Sequence, residues 1–363
     1  MNVFKRLYEH ILCNVLKIRL KPRTLQLPIT SFCNSRCVTC NIWKLKEKKH
    51  IDEERLTYAL KDKFFNKVSS VGINGGEPSL HTNFEEVLNA VLTLPSLKDI
   101  YIISNGMKDR ILLSKLENSV RLCRNRGVKL HLTISLDGVG TVDDMTRGVK
   151  GAFNKTMSTI RVISEDINKY CDYFDVGYTI SNRNYYDMAA VKVLLEKINV
   201  VPYFHIAVPN KRIHTFNDND FSVLSSLRAQ FLTREFFYGE FVYANNLKAK
   251  IKNFINYYYL KDIKNCRIAS CNYLYRDVTI DENLRVYLCA TASETVGTLT
   301  SACMSDIIKT KALSKEAKSI EKYCKNCIHY AFAPTFKGMF LFIKEVLAKA
   351  NLIIDLFCAR MHI

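Results

Sequence analysis

The chain has 363 residues, 48% hydrophobic and 24% charged, enough apolar material for a sizeable core and about two domains, with no low-complexity segment or internal repeat. Its formal net charge of +18, from 53 Lys and Arg against 35 Asp and Glu, favours anionic partners. Thirteen cysteines with no unbroken apolar targeting stretch point away from a secreted disulfide framework and predict thiols in a reducing cytoplasm, as metal ligands or core residues.

Taken in chain order, Val3, Phe4, Leu7, Ile11, Val15 and Ile18 recur at helical spacing among Lys5, Arg6, Lys17, Arg19 and Lys21, which predicts a basic amphipathic helix over 1–21. Thr24 to Thr30 alternates as a strand, and the run Cys33-Asn34-Ser35-Arg36-Cys37-Val38-Thr39-Cys40 hangs from its C-terminal end. Further strands are expected over Val68–Asn74, Asp99–Ser104, Leu130–Ser135, Asp175–Ser181 and Pro202–Val208, with helical patterns such as Asn83–Leu94 and Arg110–Arg126 between them. Six strand–loop–helix units predict an α/β fold with a parallel sheet and outer helices, an incomplete barrel over 22–210. A helical bridge over 211–265 follows. In 266–330, Cys271 and Cys289 bracket a hairpin with its turn near Glu282-Asn283, and Cys324-Lys325-Asn326-Cys327 comes after a helical stretch. Residues 331–363 read as a C-terminal amphipathic helix, interrupted by Lys344, Glu345, Lys349 and Asp355 and so poorly suited to span a bilayer.

The triplet Cys33, Cys37 and Cys40 carries the strongest chemical signal. Thiolates at C-x3-C-x2-C spacing are a usual way to hold an iron–sulfur cube. Three ligands leave one iron open, the mark of a reactive centre rather than a structural one. Half of a zinc site is the rival reading, but the triplet has no fourth partner nearby. Cys271, Cys289, Cys324 and Cys327 supply four ligands for a second centre, with a zinc ribbon as the alternative and Cys266 and Cys303 as spare thiols. Cys13, Cys123 and Cys171 lie in apolar patterns and are expected to be buried.

This triplet, the strand before it and the turns after it resemble the radical SAM superfamily, a partial (β/α)6 TIM-like barrel. There the open iron of a 4Fe–4S cluster chelates S-adenosyl-L-methionine, and its reductive cleavage yields a 5′-deoxyadenosyl radical that abstracts a substrate hydrogen atom. Gly75-Gly76-Glu77 resembles the motif that grips the amino group of S-adenosylmethionine. Ser104, Asn105, Ser135 and Asp137 fall where the family contacts its ribose and carboxylate, and Arg147 resembles the arginine that pairs with that carboxylate. The later thiols resemble the small α+β SPASM/twitch extension, which implies one auxiliary 4Fe–4S cluster held by Cys271, Cys289, Cys324 and Cys327 across the barrel mouth. Two positions depart from the pattern. Thr39 stands where an aromatic residue usually precedes the third cysteine, leaving Trp43 to shield the cluster or join the core. Leu284 replaces the glycine five residues before the second hairpin cysteine.

The resemblance implies an oxidoreductase-like enzyme, oxidising or epimerising a small anionic or glycan-linked metabolite. Only 32 residues precede Cys33, fewer than a leader-recognition domain needs, so a peptide- or protein-modifying maturase is the alternative. No base is assigned among Tyr273, Asp277 and Asp281. The first fifty residues hold eleven Lys or Arg against Glu9 and Glu47, and Lys44–Lys49 suits docking of a reduced flavodoxin- or ferredoxin-type electron donor. The terminal helices suit packing on the open edge and base of the barrel, with peripheral contact at the inner face of the membrane as the second expectation. Lys248, Lys250 and Lys252 before Phe254, Tyr257, Tyr258 and Tyr259 would suit nucleic acid in a non-catalytic iron–sulfur or zinc protein. An amphipathic bridge helix explains them better.

Overall fold

The structure is a computed structural model that describes residues 8–9, 11–215, 220–262, 264–329 and 334–361, with side chains through 348. Nine strands form one sheet in the order β6-β5-β4-β3-β2-β1-β7-β8-β9. Strands β1 (Thr24–Thr30), β2 (Ser70–Gly75), β3 (Asp99–Ser104), β4 (Lys129–Ser135), β5 (Tyr173–Ile180) and β6 (Pro202–Ile206) are parallel. Helices such as Phe84–Leu92, Asp109–Asn125, Ala152–Glu165 and Met188–Glu196 alternate with them, giving the partial barrel expected. Strand alternation sorts the two faces. Leu25, Leu27, Ile100, Ile102, Leu130, Leu132, Ile134, Val176 and Tyr178 are buried beneath the helices, while Tyr101, Ile103, His131, Thr133, Tyr173, Asp175, Tyr203 and His205 line the other face.

The thiol-bearing hairpin is not a separate sheet. Strand β7 (Val278–Ile280) pairs parallel to β1, and β8 (Arg285–Tyr287) and β9 (Thr295–Thr298) continue antiparallel. Asp277, fully buried, accepts from the backbone of Arg23 and Thr24 and holds Arg276 at 2.9 and 2.8 Å. These bonds pin the foot of β7 to β1, a structural duty that leaves Asp277 no role as a base. Asp281 is equally occupied: it accepts from the backbone of Asn283 and Arg285, from the Arg285 guanidinium and from the Tyr287 hydroxyl.

The bridge is two helices, Leu227–Tyr243 and Leu247–Lys261, capped by Ser226 and Asn246. Phe254, Tyr257 and Tyr259 are buried, and Phe254 packs against Phe241 and Phe342 of the terminal helix Phe336–Met361. These aromatics are core and offer no stacking platform for bases. Of the N-terminal helix expected over 1–21, Val3, Phe4 and Leu7 lie outside the described residues, and Ile11–Val15 forms a short π-helical turn followed by Lys17 at φ +57°. Cys13, Cys123 and Cys171 are buried as expected. Among the described residues no helix is long and apolar enough to cross a membrane.

Candidate active site

The three-thiol loop follows β1 at the C-terminal mouth of the barrel and is tied down from two sides. Arg36 and Val38 donate backbone bonds to Arg147 and Thr146 at 2.8 and 3.0 Å, and Gly76 and Glu77 donate to Thr30 and Phe32 at 2.7 and 2.8 Å. Gly75 and Gly76 permit that second approach. Gly75 sits at φ +127°, and a Cβ on Gly76 would lie 2.0 Å from the Phe32 carbonyl oxygen. Trp43 is half-buried and donates Nε1–H to the Cys37 carbonyl at 3.4 Å, so it belongs to the loop rather than the core.

The side chains after the other strands knit the mouth together. Glu77, 1% exposed, accepts from Ser79 N and Ser104 Oγ through Oε1 and from Asn105 N through Oε2. One acceptor position remains on its carboxylate, so the glutamate chiefly locks the β2 and β3 turns. Asn105 reaches the thiol loop, donating to Asn34 Oδ1 at 2.7 Å and to Ser35 Oγ at 3.3 Å. Ser135 ends β4, and Asp137 beyond it accepts from Thr179 N. Arg147 is buried between Asp137, at 2.9 Å from Nη2, and Asp143, at 3.6 Å from Nε. The Nη2 contact with Asp137 is a close ion pair without hydrogen-bond alignment, and both Nη2 and Asp143 Oδ2 are buried with no hydrogen-bond partner among the described residues.

Burial pushes the Cys37 thiol up to about 12 and raises Cys33 and Cys40, while Arg147 pulls all three back toward the thiolate. Lys48 and Arg212 act on Cys40 in the same direction. Arg212 in turn pairs with Glu282 of the hairpin turn at 3.2 Å, both side chains nearly buried. Sequence reading missed Arg212, because nothing local marks a cation that meets its partner 70 residues on.

The second set also assembles. Cys271, Cys289, Cys324 and Cys327 lie within electrostatic range of one another, and burial drives Cys324 and Cys327 up to about 12. Cys266 donates its backbone N–H to Asp262 Oδ2 at 2.9 Å, and Cys303 is exposed with its thiol donating to Asp306 at 2.9 Å. Arg267, absent from the sequence expectations, organises the set. Its guanidinium donates to the carbonyls of Ala269, Ser270, Cys327 and His329, bracing both ends of the thiol group and favouring the thiolates of Cys271, Cys324 and Cys327.

Residues 27–190 match the Radical SAM superfamily. The chain is 27% identical over 145 residues to the sporulation killing factor maturation protein SkfB of Bacillus subtilis (strain 168), spanning 40% of this chain and 33% of that protein. It is 30% identical over 139 residues to the antilisterial bacteriocin subtilosin biosynthesis protein AlbA of the same strain, spanning 38% and 29%. The chain thus spans about a third of the length of these curated relatives. Among solved structures, native anSMEcpe with bound AdoMet and Cp18Cys peptide superimposes with a TM-score of 0.59 at 15% identity, covering 92% of this chain and 99% of that one. Residues 27–190 thus carry a radical SAM domain, and SPASM/twitch-type maturases are among the proteins that the chain resembles.

The family's cofactors are a 4Fe–4S cluster and S-adenosyl-L-methionine, joined in SPASM relatives by auxiliary clusters. The donor chemistry here fits them. Two groups of soft thiol donors sit beside cations, Arg147 acting on the first and Arg267 on the second. Among the described residues the side chains do not themselves close into a metal-ligand geometry. Buried neutral thiols have no mutual attraction, and a bound cation supplies the deprotonation that draws them in.

Proposed function

We propose that this protein is a radical SAM enzyme that modifies a peptide or protein substrate, with Cys33, Cys37 and Cys40 holding the cluster that binds S-adenosylmethionine. When bound, that cluster and S-adenosylmethionine supply a 5′-deoxyadenosyl radical for hydrogen-atom abstraction. The observation that carries the reading is the convergence of three half-buried thiols with Arg147 at the C-terminal mouth of a parallel barrel. Gly75, Gly76 and Glu77 set the backbone against which the amino end of S-adenosylmethionine would lie. Ser104, Asn105, Ser135 and Asp137 offer polar contacts to its ribose, and Arg147 offers a donor to its carboxylate. The second set, Cys271, Cys289, Cys324 and Cys327, holds the auxiliary cluster in this reading.

The peptide class rests on the relatives SkfB and AlbA, whose names place them in bacteriocin and killing-factor production. A small anionic or glycan-linked metabolite is the second reading. It is favoured by the cations Lys48 and Arg212 that stand beside Cys40 with Arg147. The exposed Lys44, Lys46 and Lys49 give a cationic approach for an acidic electron donor.

The test is anaerobic reconstitution with iron and sulfide, then addition of dithionite and S-adenosylmethionine. The expected result is 5′-deoxyadenosine from the wild type and none from Cys37→Ala. A zinc-only protein, or formation that survives Cys37→Ala, overturns the reading. Supplying candidate peptides and candidate anions separately decides the class, by which of them raises 5′-deoxyadenosine in step with its own modification.

A further inference from the structure

The inner face of the barrel is a chamber with one charged pair that the mouth does not use. Its lower end is plugged by a stack of rings, Tyr101 on His131 at 4.2 Å and His131 on Tyr173 at 4.5 Å, with His131 Nε2 fixed 2.9 Å from Asp99. One layer up, Thr133 pairs in register with Asp175, and above them Tyr203 and His205 follow on β6. Helix Leu247–Lys261 sends Lys252 in from the open edge, with Nζ 3.1 Å from the centroid of the Tyr203 ring. Tyr203 is still 45% exposed, because what it faces is open space and not packed protein.

Asp175 and Lys252 act on each other electrostatically but form no ion pair within 4.0 Å among the described residues. Thr133 steadies the Asp175 carboxyl, while Asp175 Oδ1 is buried with no hydrogen-bond partner among the described residues. A buried acceptor lacking a donor, beside an amine lacking a carboxylate contact, is costly to maintain. The rest of the lining is aromatic or neutral: Thr179 and His205 bond each other at 3.0 Å. The chamber also adjoins the second thiol set. Lys252 acts on His205, His205 acts on His329, and the Cys327 thiol donates weakly to the His329 carbonyl at 3.9 Å.

We propose that Asp175 and Lys252 are a substrate-contacting pair, taking a neutral group that donates to Asp175 Oδ1 and accepts from Lys252 Nζ, which a peptide amide or side-chain carboxamide supplies. This rests on the radical SAM reading with a peptide substrate and names the contact that selects it. A free anion would meet Asp175, and a free cation would meet Lys252. An amide satisfies both without bringing a new charge into the chamber.

The pair has a signature that needs no turnover. Burial lowers Lys252 to about 7, with Lys248 pushing the same way and Asp175 and Glu240 opposing; Tyr203 and the neutral His205 complete its surroundings. Competitive acetylation of the full chain across pH, read by peptide mass spectrometry, should find Lys252 on the order of a thousandfold more deprotonated at pH 7 than a free, fully solvated lysine side chain. Asp175→Asn should move its titration lower still. Lys252 titrating like a free, fully solvated lysine side chain would overturn the placement.

With N-acetylglycinamide present, acetylation of Lys252 should slow while that of Lys61 does not, and Asp175→Asn should abolish the protection. Protection by succinate but not by the amide, or by neither, overturns the proposal. Formation of 5′-deoxyadenosine in the same wild-type preparation is scored separately. Its absence removes the radical reading and leaves the Lys252 measurement standing.

Discussion

Leu284 offers a sharp quantitative test of the hairpin that carries the second thiol set. It occupies the turn between β7 and β8 at φ +58°, donates N–H to Asp281 O at 2.8 Å, and is 2% exposed. A side chain in the left-handed region costs about 1–2 kcal/mol, and burying leucine repays it. Leu284→Ala removes most of the buried side chain but keeps a Cβ and its strain, a loss of about 2–5 kcal/mol. Leu284→Gly loses the same packing but recovers the strain, for a net loss of roughly 1–3 kcal/mol. The glycine variant should therefore be more stable than the alanine variant by about 1 kcal/mol, the reverse of the order found inside helices and strands. Urea unfolding of the three proteins, metal-free and reduced, reads this as an order of midpoints: wild type, then Gly, then Ala. An alanine variant equal to or above the glycine variant would refute the strained-turn argument.

Three further outcomes follow from the two thiol groups. Burial raises the Asp143 carboxyl from 3.8 to about 6, so the native state holds that proton more tightly than the unfolded chain. Its stabilising contribution is complete below about pH 4 and lost as pH rises through about 6, a change of roughly 3 kcal/mol. In Asp143→Asn that change should vanish, and a wild-type-minus-variant difference that is flat from pH 4 to 8 would contradict the assignment. Arg267→Met removes the donor to four carbonyls around the second set. Reconstituted protein should then fall from about eight to about four iron atoms per chain while still cleaving S-adenosylmethionine, and full iron content would show that Arg267 is dispensable. Cys271→Ala should give the same loss of iron, whereas Cys266→Ala and Cys303→Ala should retain about eight, and a loss in either would redraw the ligand set.

Much of this was legible in the chain, and the reasons differ by element. Strands β1 and β3 occupy the predicted residues because alternation between a helix-covered face and an open chamber writes a period of two. The Gly75-Gly76 turn was visible because only glycine tolerates its closeness to Thr30 and Phe32. Less legible was the pairing of β7 with β1, since a contact across some 250 residues leaves no local pattern. Glu77 and Asp137 read as ligand contacts, and each also has internal partners that no motif announces. The sequence groups Lys252 with Lys248 and Lys250, as a run suited to phosphates or as part of an amphipathic bridge helix. Tertiary packing turned Lys252 alone inward over Tyr203.

The continuity of the sheet bears on how the two thiol groups would cooperate. Strand β1 delivers the first group at its C-terminal end, and the same strand is the neighbour on which β7 and β8 are built. Arg212 and Glu282 then tie the loop after β6 to the turn of that hairpin, close to Cys40. Barrel mouth and hairpin are therefore joined by a strand ladder and a buried ion pair rather than by a flexible linker, an arrangement costly to break at either end. A cavity of about 420 Å³ lies between the loop Ile206–Pro209 and Cys327 with its neighbours Tyr259 and Tyr323. The rigidity of that joint favours a fixed substrate position, and it makes the Lys252 contact a test of the whole arrangement: an amide held there is presented to a mouth whose geometry β1 has already set.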